Sequence, residues 1–196
     1  MACPHVAGAA AFVKSAHRGW SPSMIRSALM TTALINNNIG KPLTTSLGAN
    51  ANYHDTGAGE ISPLRALSPG LEKIIRKISG TNFSCSSSNP SPDLISTINY
   101  PSISIPRLGK NNPATVTRTL TNVGPHNSTY AATIDAPAGV SVKVSPEKLV
   151  FGTRWLKASY QISFSESGAP KGYSYGSVTW SDGAHSVRTG FAVNVL

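Results

Sequence analysis

The sequence predicts an α+β protein in two parts, helices first and an antiparallel β-sandwich second. Apolar residues recur at helical spacing in the first part and at spacing two from about Asn99 onward. Between the two, Thr81 to Pro92 is polar, with Ser84, Ser86, Ser87 and Ser88, and marks the boundary.

Residues 2–16 are rich in Ala and Gly, with Val6, Phe12 and Val13 among them. This reads as a helix apolar nearly all round, expected to be buried in a larger body. Pro4 falls in its first turn, where a missing N–H costs little. Gly19-Trp20 ends it, and a second helix begins with Ser21 as N-cap and Pro22 at the first helical position. Ile25, Ala28 and Leu29 carry its apolar face to about Ala33.

Asn36-Asn37-Asn38, Gly40, Pro42, Gly48, Gly57 and Gly59 then mark a loop-rich stretch. A short helix is expected from Ser62-Pro63 to Leu67. Another is expected over Leu71–Ile78, where Leu71, Ile74, Ile75 and Ile78 share a face.

In the second part Ile103 and Ile105 alternate with Ser, and Val116, Arg118 and Leu120 with Thr. The same period runs through Val140, Val142 and Val144, and through Tyr160, Ile162 and Phe164. Val178-Thr179-Trp180 leads into Ser181-Asp182-Gly183, a hairpin signal, and Val187–Val195 closes the series. About seven short strands without a helix predict a sandwich.

Composition narrows the function. At 40% hydrophobic and 13% charged residues, the chain is too apolar for a disordered tail and too sparsely charged for a coiled coil. Its net charge is +9, but the basic residues are scattered and the densest group is only Lys73, Arg76 and Lys77, so no nucleic-acid partner is expected. No apolar run reaches membrane-spanning length, so no membrane partner is expected. No basic region followed by an apolar stretch opens the chain, so no export signal is read in it. Cys3 and Cys85 form neither a C-x-x-C nor a zinc spacing, and nothing calls for a metal or cofactor. Cys3, among small apolar residues, is expected to be a buried, inert thiol.

Among the histidines, His5 reads as packed on the apolar helix, His17 and His185 as surface residues at element ends, and His54-Asp55 as a loop pair. There is no Gly-x-Ser-x-Gly elbow. Asn82-Phe83-Ser84 and Asn127-Ser128-Thr129 match the N-glycosylation acceptor pattern in expected loops.

Met1-Ala2-Cys3-Pro4-His5-Val6-Ala7-Gly8 resembles the start of the helix behind the nucleophile in plant subtilisin-like serine proteases, where the wording is Gly-Thr-Ser-Met-Ala-x-Pro-His-Val-Ala-Gly. Trp20-Ser21-Pro22, the run Ile25 to Ala33, and Gly57-Ala58-Gly59 with Pro69-Gly70-Leu71 continue the likeness. Asn99-Tyr100-Pro101, Thr115–Thr119, Thr121–Gly124 and Thr179–Gly183 resemble the fibronectin type III-like domain that closes those enzymes.

The resemblance implies a helical remnant of an α/β subtilisin domain at 1–80, a linker at 81–97 and a fibronectin type III-like sandwich at 98–196. It implies Met1, Ala2, Pro4, His5 and Gly8 as the helix supporting a catalytic Ser that would sit just before Met1. The catalytic Asp, His and oxyanion Asn would lie further upstream, leaving no catalytic residue in these 196 positions. The implied partner is the missing N-terminal catalytic domain, with a protein substrate or a homodimer partner in the full-length form and an extracellular parent. After Leu71 the family continues with Val-Tyr-Asp and a helix ending in Leu-Cys, whereas Glu72 follows here, which leaves Cys85 without the Cys it often pairs with. Two functions stay open: part of a serine endopeptidase that is inactive alone, or a non-enzymatic interaction module. On the first, residues 1–80 are expected to be loosely ordered or prone to aggregate in isolation.

Overall fold

The computed structural model describes residues 2–72, 99–152 and 156–196. Helix α1 (Ala2–Ala16) is followed by α2 (Pro22–Thr31) and two single turns, α3 (Tyr53–Thr56) and α4 (Pro63–Ala66). Local chemistry fixes their ends. The Lys14 ammonium donates to the carbonyls of Arg18 and Trp20, both at 2.7 Å, and so satisfies carbonyls released where α1 stops. Ser21 caps α2 by accepting from the Met24 N–H at 3.3 Å, with Pro22 behind it. Thr31 and Thr32 at its far end bond back to the carbonyls of Ser27 and Ala28. Asn52 and Asp55 form a reciprocal capping box around α3.

The second part packs two sheets face to face. One has the order β1 (Leu71–Glu72), β3 (Ala114–Asn122), β7 (Lys157–Glu166), β5 (Val140–Ser145). The other runs β2 (Ser102–Leu108), β9 (Ser186–Val195), β8 (Gly172–Ser181), β4 (Ser128–Asp135), β6 (Lys148–Phe151). Alternation puts one row of each strand inward, and the strictest case is β9, where Val187, Thr189, Phe191, Val193 and Val195 are all buried. Trp180, Tyr160, Ile162, Phe164 and Phe151 form the centre, with Tyr160 edge-on to Trp180 at 4.9 Å. Arg118 lies in the inward row at 2% exposure, its guanidinium donating to the carbonyls of Thr117 and Ser102.

The sequence reading needs four corrections here. β2 runs parallel to β9, so the sandwich is not wholly antiparallel. β4 and β6 are strands beyond the runs read from the sequence, although Tyr130, Ala132 and Ile134 keep the period. Leu71 and Glu72, where a helix was expected to start, form a strand paired with Asn122 and Thr121, because the edge of β3 offers them ladder partners; the rest of that expected helix and the expected linker at 81–97 lie outside the described residues. Finally, α1 is not buried all round: only Ala9 and Val13 are, and Cys3 is exposed. Among the described residues, nothing packs on its outer face.

The two parts touch. A second apolar cluster joins Ala9, Val13, Trp20, Met24, Ile25, Ala28, Leu29 and Ala66 to Val123, at the end of β3. Gly70 is the pivot. Its carbonyl accepts from the N–H groups of Val123 and Gly124, both at 2.9 Å. Its φ is +76°, and a Cβ there would lie 2.6 Å from the Tyr130 hydroxyl and 2.8 Å from His185 Cβ, so only glycine fits.

Candidate functional site

The residues read as supporting a nucleophile occupy the first two turns of α1. Ala2, Pro4, His5 and Gly8 are all exposed there, while Met1 lies outside the described residues. His5 is therefore not packed in a core, and a Cβ added at Gly8 would meet nothing within 4 Å. Beside them opens an almost wholly apolar groove of about 680 Å³ between α1 and α2, lined by Val6, Ala10, Trp20, Ile25, Leu29 and Ile61 among others. Val6 and Phe12 are each 45% exposed. A helix face of this composition reaches its lowest free energy only when covered.

A second constellation was not legible in the sequence. At the joint between the parts, the His185 ring accepts from or donates to two neighbours. Its Nδ1 is 2.8 Å from Asp182 Oδ2, and its Nε2 is 3.1 Å from Ser68 Oγ. Asp182 also accepts from the N–H groups of Ala184 (3.0 Å) and His185 (2.6 Å). Partial burial pushes the Asp182 carboxyl up, but these N–H groups and the His185 ring together hold it below its ordinary value. The Tyr130 hydroxyl, beside Asp182, is pushed well up, first by burial and then by that negative charge.

Ser, His and Asp thus stand in the order of a charge relay. The order alone is not a catalytic site: an acyl-transfer centre also needs a cleft and donors for an oxyanion. Neither Ser68 nor His185 lines any of the described cavities, and the residue after Ser68 is a proline, which has no N–H to give. The chain of bonds holds the Ser68-Pro69-Gly70 corner against the β8–β9 turn. His185 is therefore a structural partner rather than the surface residue expected. His17 departs in the same way, bonding the Leu67 carbonyl at 2.6 Å and stacking on Trp20 at 3.8 Å.

His54 also has partners: its Nδ1 lies 2.5 Å from the Tyr175 hydroxyl, far along the chain. Of the two glycosylation candidates, Asn127 is exposed in the turn before β4 with φ 56°, and Thr129 beside it is exposed too. Asn82 and Cys85 lie outside the described residues. Among the described residues, no cluster of three or more His, Cys, Asp or Glu could hold a metal, and no helix is long and apolar enough to cross a membrane.

Comparison with known proteins gives this geometry its context. Residues 1–59 match the subtilase family model, and residues 97–193 match a fibronectin type-III domain model. The Arabidopsis thaliana CO(2)-response secreted protease is 38% identical over 217 residues, spanning 99% of this chain and 28% of its own length. The chain belongs to the subtilase family. Subtilisin-like protease SBT5.1 of the same plant is 39% identical over 221 residues, spanning 98% of the chain and 28% of the relative. This subtilase chain therefore covers little more than a quarter of the length of the relatives it matches. A PapD-like domain of human CEP192 overlaps it at a TM-score of 0.40 and 15% identity, covering 60% of this chain and 97% of that domain.

Proposed function

We propose that these residues are the C-terminal part of a subtilisin-like serine endopeptidase and that they do not cleave peptide bonds alone. On this reading residues 1–80 are the end of the catalytic domain, 81–97 a linker and 98–196 a fibronectin type III-like domain docked against it. The observation that carries it is the open apolar groove between α1 and α2, on the helix whose start resembles the segment behind a subtilase nucleophile. The remainder of a catalytic domain would cover that groove and place the attacking Ser at the N-terminus of α1. There, unpaired N–H groups and the helix dipole favour developing negative charge. Met1, Ala2, Pro4, His5 and Gly8 then act as support rather than as reacting groups.

The parent enzyme is extracellular on this reading, in keeping with the one relative that is named a secreted protease. Asn127 would carry a glycan when the chain is exported, a change visible as a shift in mass removed by a glycosidase. The enzymatic reading is tested by treating the purified 196-residue chain with a fluorophosphonate serine probe. No labelling is expected at any serine, Ser68 included; stoichiometric labelling would overturn the reading.

A second reading, a non-enzymatic module, is favoured by one observation. Among the described residues, the sandwich gathers twenty buried residues into one core, all but Leu71 of them from residues 103–195. The two readings separate on adding the upstream part of a subtilase: only the first expects serine-probe labelling to appear.

A further inference from the structure

Helix α1 is held like a cantilever. Its N-terminal half, residues 2–8, is exposed throughout, and its grip begins at the buried Ala9 and Val13. Directional contacts close that grip at the C-terminal end. The Lys14 ammonium donates to the Arg18 and Trp20 carbonyls. The His17 ring lies flat on Trp20, with centroids 3.8 Å apart and 7° between the planes. His17 Nε2 stands 2.6 Å from the Leu67 carbonyl; a carbonyl can only accept, so that nitrogen carries a proton and donates it.

Leu67 belongs to a corner that the sandwich holds. The hydroxyl of Ser68, the next residue, bonds His185 Nε2 at 3.1 Å, and Asp182 fixes the other side of that ring at 2.8 Å. Further on, the Gly70 carbonyl accepts from the N–H groups of Val123 and Gly124, and Leu71 pairs with Asn122. Val123 itself enters the apolar cluster with Ala9 and Val13. The corner has little freedom of its own. Pro69 has its φ locked by its ring, and Gly70 sits at φ +76° against Tyr130 and His185.

Length turns that hold into leverage. Helix α1 has 15 residues and rises about 22 Å, so a tilt of about 5° at His17 moves its N-terminal end by about 2 Å. A misplacement of about 1 Å at a reacting centre can cost about 10²-fold in rate. Ala9 and Val13, one turn apart, locate the helix against α2, while the bond at His17 gives it a direction.

We infer that His17 and His185 are positioning residues for the nucleophile: through the corner 67–70, the sandwich sets the angle of α1 and so the place of the Ser at its N-terminal end. The Ser in this inference rests on the proteolytic reading above, whereas the lever rests on the bonds within this chain. His17 stands a helix length from that Ser, so it acts by holding and not by reacting.

Two measurements test it. The first needs no proteolysis. In the full chain with Cys85→Ser, spin labels on the exposed Cys3 and on Lys148→Cys report the distance from the start of α1 to β6. One narrow distance is expected. His17→Ala and His185→Ala should each shift or widen it by about 2 Å or more. His17→Gln, whose amide keeps an N–H for Leu67, should restore it. Val140→Ala lies in the sandwich core, at the opposite end of its sheet from β1, and should lower the denaturant midpoint without moving the distance. The second measurement uses the chain joined to the upstream part of a subtilase. There His17→Ala and His185→Ala should lower kcat by about tenfold or more, with KM changed by no more than about twofold, and His17→Gln should recover most of kcat. Distances in His17→Ala and His185→Ala equal to that of the unsubstituted chain, or equal movement in Val140→Ala, would overturn the lever. A moved distance with kcat unchanged would overturn the positioning role. An inactive joined chain without any of these substitutions would overturn the proteolytic reading, and the distances tell that failure from a failure of the lever.

Discussion

The sandwich and the helical part of this subtilase chain differ in what closes them. In the sandwich, two sheets supply the cover for each other, and the inward rows of β3, β7, β8 and β9 are buried almost without exception. In the helical part, α1 is closed on one side by α2, α4 and Val123 and left open on the other. Among the described residues, the sandwich core is covered on both sides and the helical cluster on one. Secondary structure alone does not separate the two cases. A helix forms in both a finished and an unfinished core, and only the fate of its apolar surface tells them apart.

That contrast is sharpest when one large side chain is removed from each part. Trp180→Ala, at 0% exposure in the sandwich centre, should cost about 3–5 kcal/mol, read from the denaturant midpoint of the full chain. A cost below about 1 kcal/mol would mean that the sandwich core is not the stabilising unit. Next in size is the joint. Gly70→Ala forces a side chain into a left-handed position already crowded by Tyr130 and His185, and should cost about 1–3 kcal/mol. Its effect should appear first as faster amide exchange at Val123 and Gly124, which lose their acceptor, ahead of the sheet interior.

The clasp at the same joint is testable through pH. Asp182→Asn should cost about 1–2 kcal/mol at pH 7. The folded carboxyl titrates below its ordinary 3.8, so its contribution is full above that value and is lost as pH falls through the lowered pKa. The stability gap between wild type and Asp182→Asn should therefore close in acid, while the Trp180→Ala gap should not close in step with it. A gap constant from pH 7 to pH 2.5 would remove the ionised clasp from the account. The smallest effect belongs to the open face. Phe12→Ser should change unfolding free energy by no more than about 0.5 kcal/mol. The same change should reduce self-association in sedimentation, because Phe12 lies exposed where a partner surface is wanted.

What the sequence could reveal follows the range of the interactions. The helices and most strands were legible because hydrophobic period and caps are local, as at Ser21-Pro22 and along Val187–Val195. The α4 turn followed from Ser62-Pro63. β6 was missed because four residues, with only Leu149 and Phe151 inward, give too short an alternation. The Ser68–His185 and His54–Tyr175 pairs span 117 and 121 residues, and no local pattern announces a partner so distant. The exposure of Cys3 and His5 was misjudged for a different reason. A face rich in Ala and Gly states that a helix wants cover, and the sequence of that helix cannot state whether the cover is present.

Native-state hydrogen exchange on the monomeric 196-residue chain tests this account most directly. The account predicts that amides of residues 5–12 in α1 exchange well ahead of those in β3, β7, β8 and β9, whose opening requires the whole sandwich to unfold. Protection across residues 5–16 equal to that of the sandwich strands, in a protein confirmed monomeric at the same concentration, would contradict it.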